Sequence, residues 1–269
     1  MITLHKLPDF QAVEDMKRRY LESLSAPLDG MWEMGFINPQ PHWQIRVDEA
    51  LAGYFVSNDE QTLLQFYVRP EFDHQSSRIF QQVLVQNNLK YAMVGTIDPL
   101  LLRHCLDVQR SVKVHTHLYE AGNAHSYAQT LSAAPQLRAV TLDELDRVIQ
   151  FQTDCLTLDR STVGWLRVYS SALIERSELF VLPDEDRWLG LGELRRSDTQ
   201  TGVADVGMMV APAHRGRGLA TSILARLRAA CESESLRAIC STTAENVAAQ
   251  KAILKAGFRS RHRIIRVEL

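Results

Sequence analysis

The stretch Val206-Gly-Met-Met-Val-Ala-Pro-Ala-His-Arg-Gly-Arg-Gly-Leu-Ala220 decides how the rest of the chain is read. An apolar strand ends at Val210, Pro212 turns the chain, a basic glycine-rich loop follows, and a helix opens near Leu219. Backbone N–H groups in the first turn of a helix have no intrahelical partner, and the helix dipole favours negative charge there. Gly216 and Gly218 put no side chain between those donors and a ligand, while Arg215 and Arg217 add positive charge. The loop reads as a cradle for a diphosphate or similar anion. The plainer reading is a tight strand-to-helix turn on a basic surface.

Other glycine loops do not fit. A P-loop requires a Gly-Lys-Ser/Thr ending, which is absent, and a dinucleotide fingerprint requires a third glycine where Thr221 stands. What remains is Arg215-x-x-Gly218-x-Ala220 directly after Val-x-Pro. It resembles the acyl-CoA loop of the GNAT superfamily of N-acyltransferases, whose pattern is Gln/Arg-x-x-Gly-x-Gly/Ala. The downstream sequence fits the same family. Leu219, Ile223, Leu224, Leu227, Ala230 and Cys231 have helical spacing, and Leu236 to Cys240 is a short apolar strand. Asn246-Val-Ala-Ala249 and then Lys255-Ala-Gly257-Phe258 match the family's Asn, Ala and Lys-x-Gly-Phe, with Gly257 a helix C-cap signal.

The resemblance implies an acyl-CoA site, with acetyl-CoA the default co-substrate and no metal. The diphosphate would lie on Arg215, Gly216, Arg217, Gly218, Leu219 and Ala220. The pantetheine arm would run along Met208, Met209 and Val210, near a bulge that splays this strand from the next. A main-chain N–H of Met209 or Val210 would polarise the acyl carbonyl. Asn246 takes the family's pantetheine contact; by itself it also reads as a helix N-cap, and the two are compatible. The family's usual acid before the loop corresponds to Asp205, with Glu193 on the preceding strand as the second candidate base. Asp205 reads equally as a strand-start residue. One departure stands out: the tyrosine that in many family members protonates the departing thiolate is replaced by Ile253.

At 269 residues the chain is too long for one such domain. Residues 136–269 alone supply a full set: a strand at Leu137 to Val140, helices over Leu142 to Ile149 and Val163 to Ile174, then strands at Glu178 to Leu182, Trp188 to Leu194 and Ala204 to Val210. Residues 1–125 repeat the plan. There a strand ends Phe66-Tyr-Val68-Arg-Pro70, parallel to Met208-Met-Val210-Ala-Pro212, but Glu71-Phe-Asp-His follows and no glycine does. The fold class expected is α/β, with two tandem GNAT-like domains, each a mixed, mostly antiparallel sheet flanked by helices. The copy over 1–125 lacks the cofactor loop; the copy over 136–269 binds acyl-CoA and is catalytic. Glu120 to Pro135 reads as the linker, and Trp32, Phe36 and Trp43 as aromatic surface or core.

Formal charge is −2 with no long charge run, which gives no bulk affinity for nucleic acid or anionic membrane. The absence of a long apolar run and the scattered placement of the four cysteines fit a cytoplasmic protein with reduced thiols. His115 and His117 share a strand face but lack a third ligand; His104 and His262 lack a visible orienting partner. The function expected is transfer of an acyl group to a primary amine of a small molecule, amino acid or peptide, by a monomer or homodimer. The alternatives are a non-catalytic acyl-CoA sensor and an aminoacyl-type transferase on a tandem GNAT scaffold.

Overall fold

The computed structural model describes residues 1–9, 11–122, 131–132, 134–156 and 160–269. Its first half runs β1 (Ile2–Lys6), α1 (Glu14–Ser23), β2 (His42–Val47), β3 (Ala50–Ser57), β4 (Thr62–Val68), α2 (Ser76–Gln86), β5 (Tyr91–Gly95), α3 (Pro99–Val108) and β6 (Ser111–Ala121). The second half runs β7 (Arg138–Ala139), α4 (Leu145–Cys155), α5 (Arg160–Glu175), β8 (Leu179–Asp184), β9 (Arg187–Arg196), β10 (Val203–Val210), α6 (Leu219–Ser233), β11 (Arg237–Thr243), α7 (Val247–Lys255) and β12 (Phe258–Glu268). Most of the expected linker, 123–130 and 133, lies outside the described residues.

The chain divides into two units, residues 1–118 with 262–269, and residues 119–261. In the first unit the strands lie in the order β1-β2-β3-β4-β5-β12. Apart from β4 with β5, which pair parallel, the pairings are antiparallel. Side chains of β3 and β4 are buried on both faces, alternating except where the register shifts between Val56 and Ser57. Phe55, Leu63 and Phe66 pack with Ile79 and Phe80 of α2 and Leu101 of α3, while Tyr54, Val56 and Tyr67 pack with Met16 and Tyr20 of α1.

The last eight residues, read from sequence as part of the second half, belong to the first unit. Ile264 to Glu268 pairs antiparallel with β5, and Ile265 and Val267 enter the core with Phe66 and Val94. The physical reason is burial: β5 would otherwise expose a strand edge and an apolar face. Trp43 stacks on Phe55 at 5.6 Å against that core, and Trp32 stacks on Phe36 at 5.0 Å in the π-helix Trp32–Ile37.

The second unit has the strand order β6-β11-β10-β9-β8-β7. Ala204, Val206 and Val210 of β10 pack with Ile223, Leu224 and Leu227 of α6 on one face. On the other, Leu191 and Met209 pack with Val148 of α4 and Leu173 of α5. Arg228 of α6 is fully buried; it donates to the carbonyls of Gly257 at 2.7 Å and Gly122 at 2.6 Å and pairs with Glu232 at 3.0 Å. It thereby closes the C-terminal end of α7, where carbonyls lack intrahelical partners.

Candidate active site

The glycine loop has the conformation its residues demand. Pro212–His214 forms one 3₁₀ turn, then Gly216 and Gly218 take φ of +78° and +82°, a region that side chains disfavour. Gly218 is the N-cap of α6; no side chain caps the helix and no acidic residue sits in its first turn, so its leading N–H groups stay open to an anion. The two arginines behave differently from each other. Arg215, though exposed, folds back on the chain, donating from Nε to the Val210 carbonyl at 3.2 Å and from Nη2 to the Cys155 carbonyl at 3.1 Å. It ties the loop to the end of α4. Arg217 is exposed and makes a long contact, 3.4 Å, with the Ala213 carbonyl.

Next to the loop the sheet opens. β10 pairs with β11 at Val203↔Arg237, Ala204↔Ala238 and Asp205↔Ile239, and the pairing stops there. With β9 it stays in register from Ala204 through Val210, so the opening comes from divergence of β11 and the bulge expected from sequence is not present on that side. Ser197 N–H bonds the Val203 carbonyl and Ala211 N–H bonds the Leu189 carbonyl. The odd-numbered residues of β10 therefore pair with β9, and the peptide groups of Met208 and Val210 face the opening. That corrects half of the expected main-chain donor pair: Met209 N–H is turned to β9, Val210 N–H to the wedge.

The wedge forms a cleft of about 490 Å³, within the usual range for small-molecule sites. Met208, Met209, Val210, Arg215, Gly216, Gly218, Leu219, Ala220 and Asn246 all line it. So do Ala248, Ala249 and Ala252, whose short side chains leave the space. Asn246 is the N-cap of α7, its Oδ1 accepting from Ala249 N–H at 3.1 Å, and it still borders the cleft. Ile253 is buried among Ile223, Leu227 and Phe258 and does not reach the lining. Sequence reading missed Cys155, His214, Lys251 and Lys255 on the cleft wall. The two lysines carry the available signal, an i, i+4 spacing on the helix that Asn246 caps. Burial pushes the Cys155 thiol up, against the pull of Arg215, and its Sγ lies 3.7 Å from the Val210 carbonyl.

The two candidate bases lie on the other face of β9 and β10. Glu193 sits opposite Gly207, and Arg195 opposite Asp205. Tyr169 of α5 donates its hydroxyl to Glu193 Oε2 at 2.7 Å; Arg195 Nη1 donates to the Tyr169 oxygen at 2.8 Å and to Glu193 Oε2 at 3.3 Å. Arg195 Nη2 is 4.0 Å from Asp205 Oδ1. The Glu193 side chain is 17% exposed, whereas that of Asp205 is 2% exposed. Burial, and then the Glu193 carboxylate, hold the Tyr169 phenol well above its ordinary range, so it stays protonated as a donor. Tyr169 and Arg195 were not legible as site residues in the sequence, since only the fold brings them to Glu193.

The remaining histidine candidates do not gather. His104 is buried against Phe66 and Phe80, and His262 contacts Thr96. Among the described residues no group of three His, Cys, Asp or Glu side chains is placed to hold a metal, and no helix is long and apolar enough to cross a membrane.

Comparison with known proteins gives the same outline twice. Residues 9–122 match the family described as acetyltransferase (GNAT) domain, and residues 145–258 the acetyltransferase (GNAT) family. A solved acetyltransferase of the GNAT family from Colwellia psychrerythraea is 33% identical, has a TM-score of 0.93, and is matched over 99% of each chain. A GCN5-related N-acetyltransferase from Sphaerobacter thermophilus has a TM-score of 0.66 at 12% identity, over 99% of this chain and 95% of its own. A tandem GNAT protein from the clavulanic acid biosynthesis pathway has 0.61 at 13%, over 100% and 98%. Those two show likeness of fold alone. No curated protein matches the chain.

Proposed function

Because this chain belongs to the GNAT acetyltransferase family, we propose that residues 119–261 form an acyl-CoA-dependent N-acyltransferase, with acetyl-CoA as donor and a primary amine as acceptor. The observation that carries the reading is the edge of β10 beyond Asp205, along which no strand pairs among the described residues. Met208 and Val210 turn peptide groups into the wedge, and an extended amide-bearing arm pairs with such an edge as a strand would. The edge leads to the uncapped N-terminus of α6, suited to a diphosphate. Ala248, Ala249 and Ala252 give the arm room, and Lys251 and Lys255 add positive charge beside it. Acyl-CoA supplies the acyl group as a thioester: a C–N bond forms, the C–S bond breaks, and the sulfur leaves as a thiolate that then takes a proton from water, its ordinary pKa of about 8.5 making a protein acid at position 253 dispensable.

An amine with a pKa of about 10.4 must lose a proton before it can attack. Glu193 accepts that proton. Tyr169 and Arg195 fix its Oε2, and its Oε1 has no hydrogen-bond partner among the described residues. Asp205, buried behind it, holds Arg195 in place by charge. This ordering reverses the preference read from sequence, because a base has to be reached by its substrate. Val210 N–H is the main-chain donor for the acyl oxygen.

Substitution Glu193→Gln should lower kcat/KM about 100-fold while leaving the KM for acetyl-CoA near its original value. Asp205→Asn should instead lower thermal stability and change kcat/KM less. A Glu193→Gln protein with full activity from about pH 6 to 9 would remove Glu193 from the mechanism.

A further inference from the structure

Resting on that reading of Glu193, we infer that the acceptor is a primary amine borne on a planar, apolar body without a carboxylate, and that Trp165 is the surface on which the body stacks. Trp165 and Tyr169 stand one turn apart on α5, their rings parallel within 9° and 4.9 Å apart. The Tyr169 hydroxyl is bonded to Glu193. One continuous wall therefore runs from an indole face, across a phenol, to the carboxylate whose Oε1 has no hydrogen-bond partner among the described residues. Trp165 is 49% exposed, and Val168 beside it is exposed as well. Tyr169 covers one face of the indole, and among the described residues no second ring stacks on the other, where a flat group would lie. The wall is tied to the cleft through Met209, which lines the cleft and packs against the same apolar cluster as Tyr169.

Charge decides against a carboxylate on the acceptor. Glu193, Asp205 and Arg195 sum to one negative charge, which favours an ammonium. Arg195 faces Glu193, Asp205 and Tyr169; Arg167 of α5 is paired with Asp146 at 2.7 Å; Arg215 donates to two carbonyls. None of these three is left to receive a carboxylate, and one brought near Glu193 would be repelled. An aromatic face also attracts a cation, so the same wall suits the ammonium end.

The test uses the full-length protein, with thiol release from acetyl-CoA measured against 2-phenylethylamine, propylamine and phenylalanine. Binding of 2-phenylethylamine is followed separately by tryptophan fluorescence. The expected kcat/KM for 2-phenylethylamine exceeds the other two by about tenfold or more. Trp165→Ala should bring it down to the propylamine level and Trp165→Phe should restore most of it, with the KM for acetyl-CoA and the melting temperature unmoved. Glu193→Gln should depress all amines alike. An unchanged preference in Trp165→Ala, or phenylalanine used as well as 2-phenylethylamine, overturns the inference and leaves Glu193 standing. Turnover that survives Glu193→Gln overturns the underlying reading instead. If 2-phenylethylamine neither turns over nor binds saturably, the inference is wrong.

Discussion

In both units a parallel pair of strands comes apart soon after it forms. β4 and β5 pair at Thr62↔Tyr91 and Leu63↔Ala92 and then separate; β10 and β11 separate after Asp205↔Ile239. In both, the second strand leads to a helix capped by its own Asx side chain: Asp98 bonds Leu101 N–H at 2.9 Å, Asn246 bonds Ala249 N–H at 3.1 Å. Counted from those caps, Ala248, Ala249 and Ala252 of the second unit stand where the first has Leu100, Leu101 and His104. His104 stacks on Phe80 at 5.1 Å and meets Phe66 edge-on at 5.9 Å. Phe66 itself holds the place on β4 that Met208 holds on β10, two before the closing valine.

The frame is thus the same, and side-chain bulk decides whether its wedge is core or cleft. Filling it stabilises the first unit, since a buried Leu or Phe contributes about 1.5–3 kcal/mol. The second unit forgoes that burial and keeps about 490 Å³. The loops diverge in step. After Pro70 the first unit has Glu71 paired with Arg69 at 2.6 Å and Asp73 facing Arg103 at 3.6 Å, where the second, counted from Pro212, has Ala213 and Arg215; Gly216 and Gly218 stand where the first has His74 and Ser76. Carboxylates at that place repel a diphosphate.

The contrast is easiest to break by removing residues 262–269. Ile264, Ile265 and Val267 are buried in the first unit, so their loss removes roughly 5–9 kcal/mol of burial, comparable to a whole domain's stability. Denaturant unfolding should lose the first unit's transition. The second unit's apolar clusters lie wholly within residues 119–258, so its binding of CoA should persist. Loss of both transitions together would show that the units do not fold separately.

A smaller effect should come from writing the first unit's bulk into the second. Ala252→Phe places an aromatic ring in the cleft, and calorimetry should then show CoA affinity reduced by about 100-fold or more from one site per chain, with the melting temperature held or raised. Unchanged affinity would detach the cleft from CoA binding.

The smallest effect concerns the caps. Burial pushes the Asp98 carboxyl up to about 6, against about 3.9 for an unfolded aspartate. The folded state then holds a proton that the unfolded state has released, so stability falls as pH rises from about 4 through 6. Asp98→Asn keeps the cap and removes this penalty, as Asn246 does in the second unit. The gain should be on the order of 3 kcal/mol or less at about pH 8 and vanish at about pH 4. An equal gain at both pH values would mean that Asp98 is not the titrating group.

Much of this was legible in residues close together in the chain. The 3.6-residue spacing from Leu219 to Cys231, the positive-φ glycines before it, and the Asn246 cap each express sterics and hydrogen bonding within one or two turns. The parallel between Val68-Arg-Pro70 and Val210-Ala-Pro212 was legible for the same reason. The alternating pattern of β12 announced a strand but not its partner, because period two says which side chains share a face and nothing about which edge they join.

By itself, then, the amino-acid order determined the elements, their repetition, and which of the two copies carries the glycine-rich loop. Tertiary structure alone decided that the last strand completes the first unit, that β11 diverges after Asp205, and that Tyr169 and Arg195 converge on Glu193. These join residues distant in the chain, and Glu193 and Asp205 are carboxylates of ordinary sequence appearance. What separates them is exposure, which depends on what the rest of the chain packs over each one, and no local pattern encodes it.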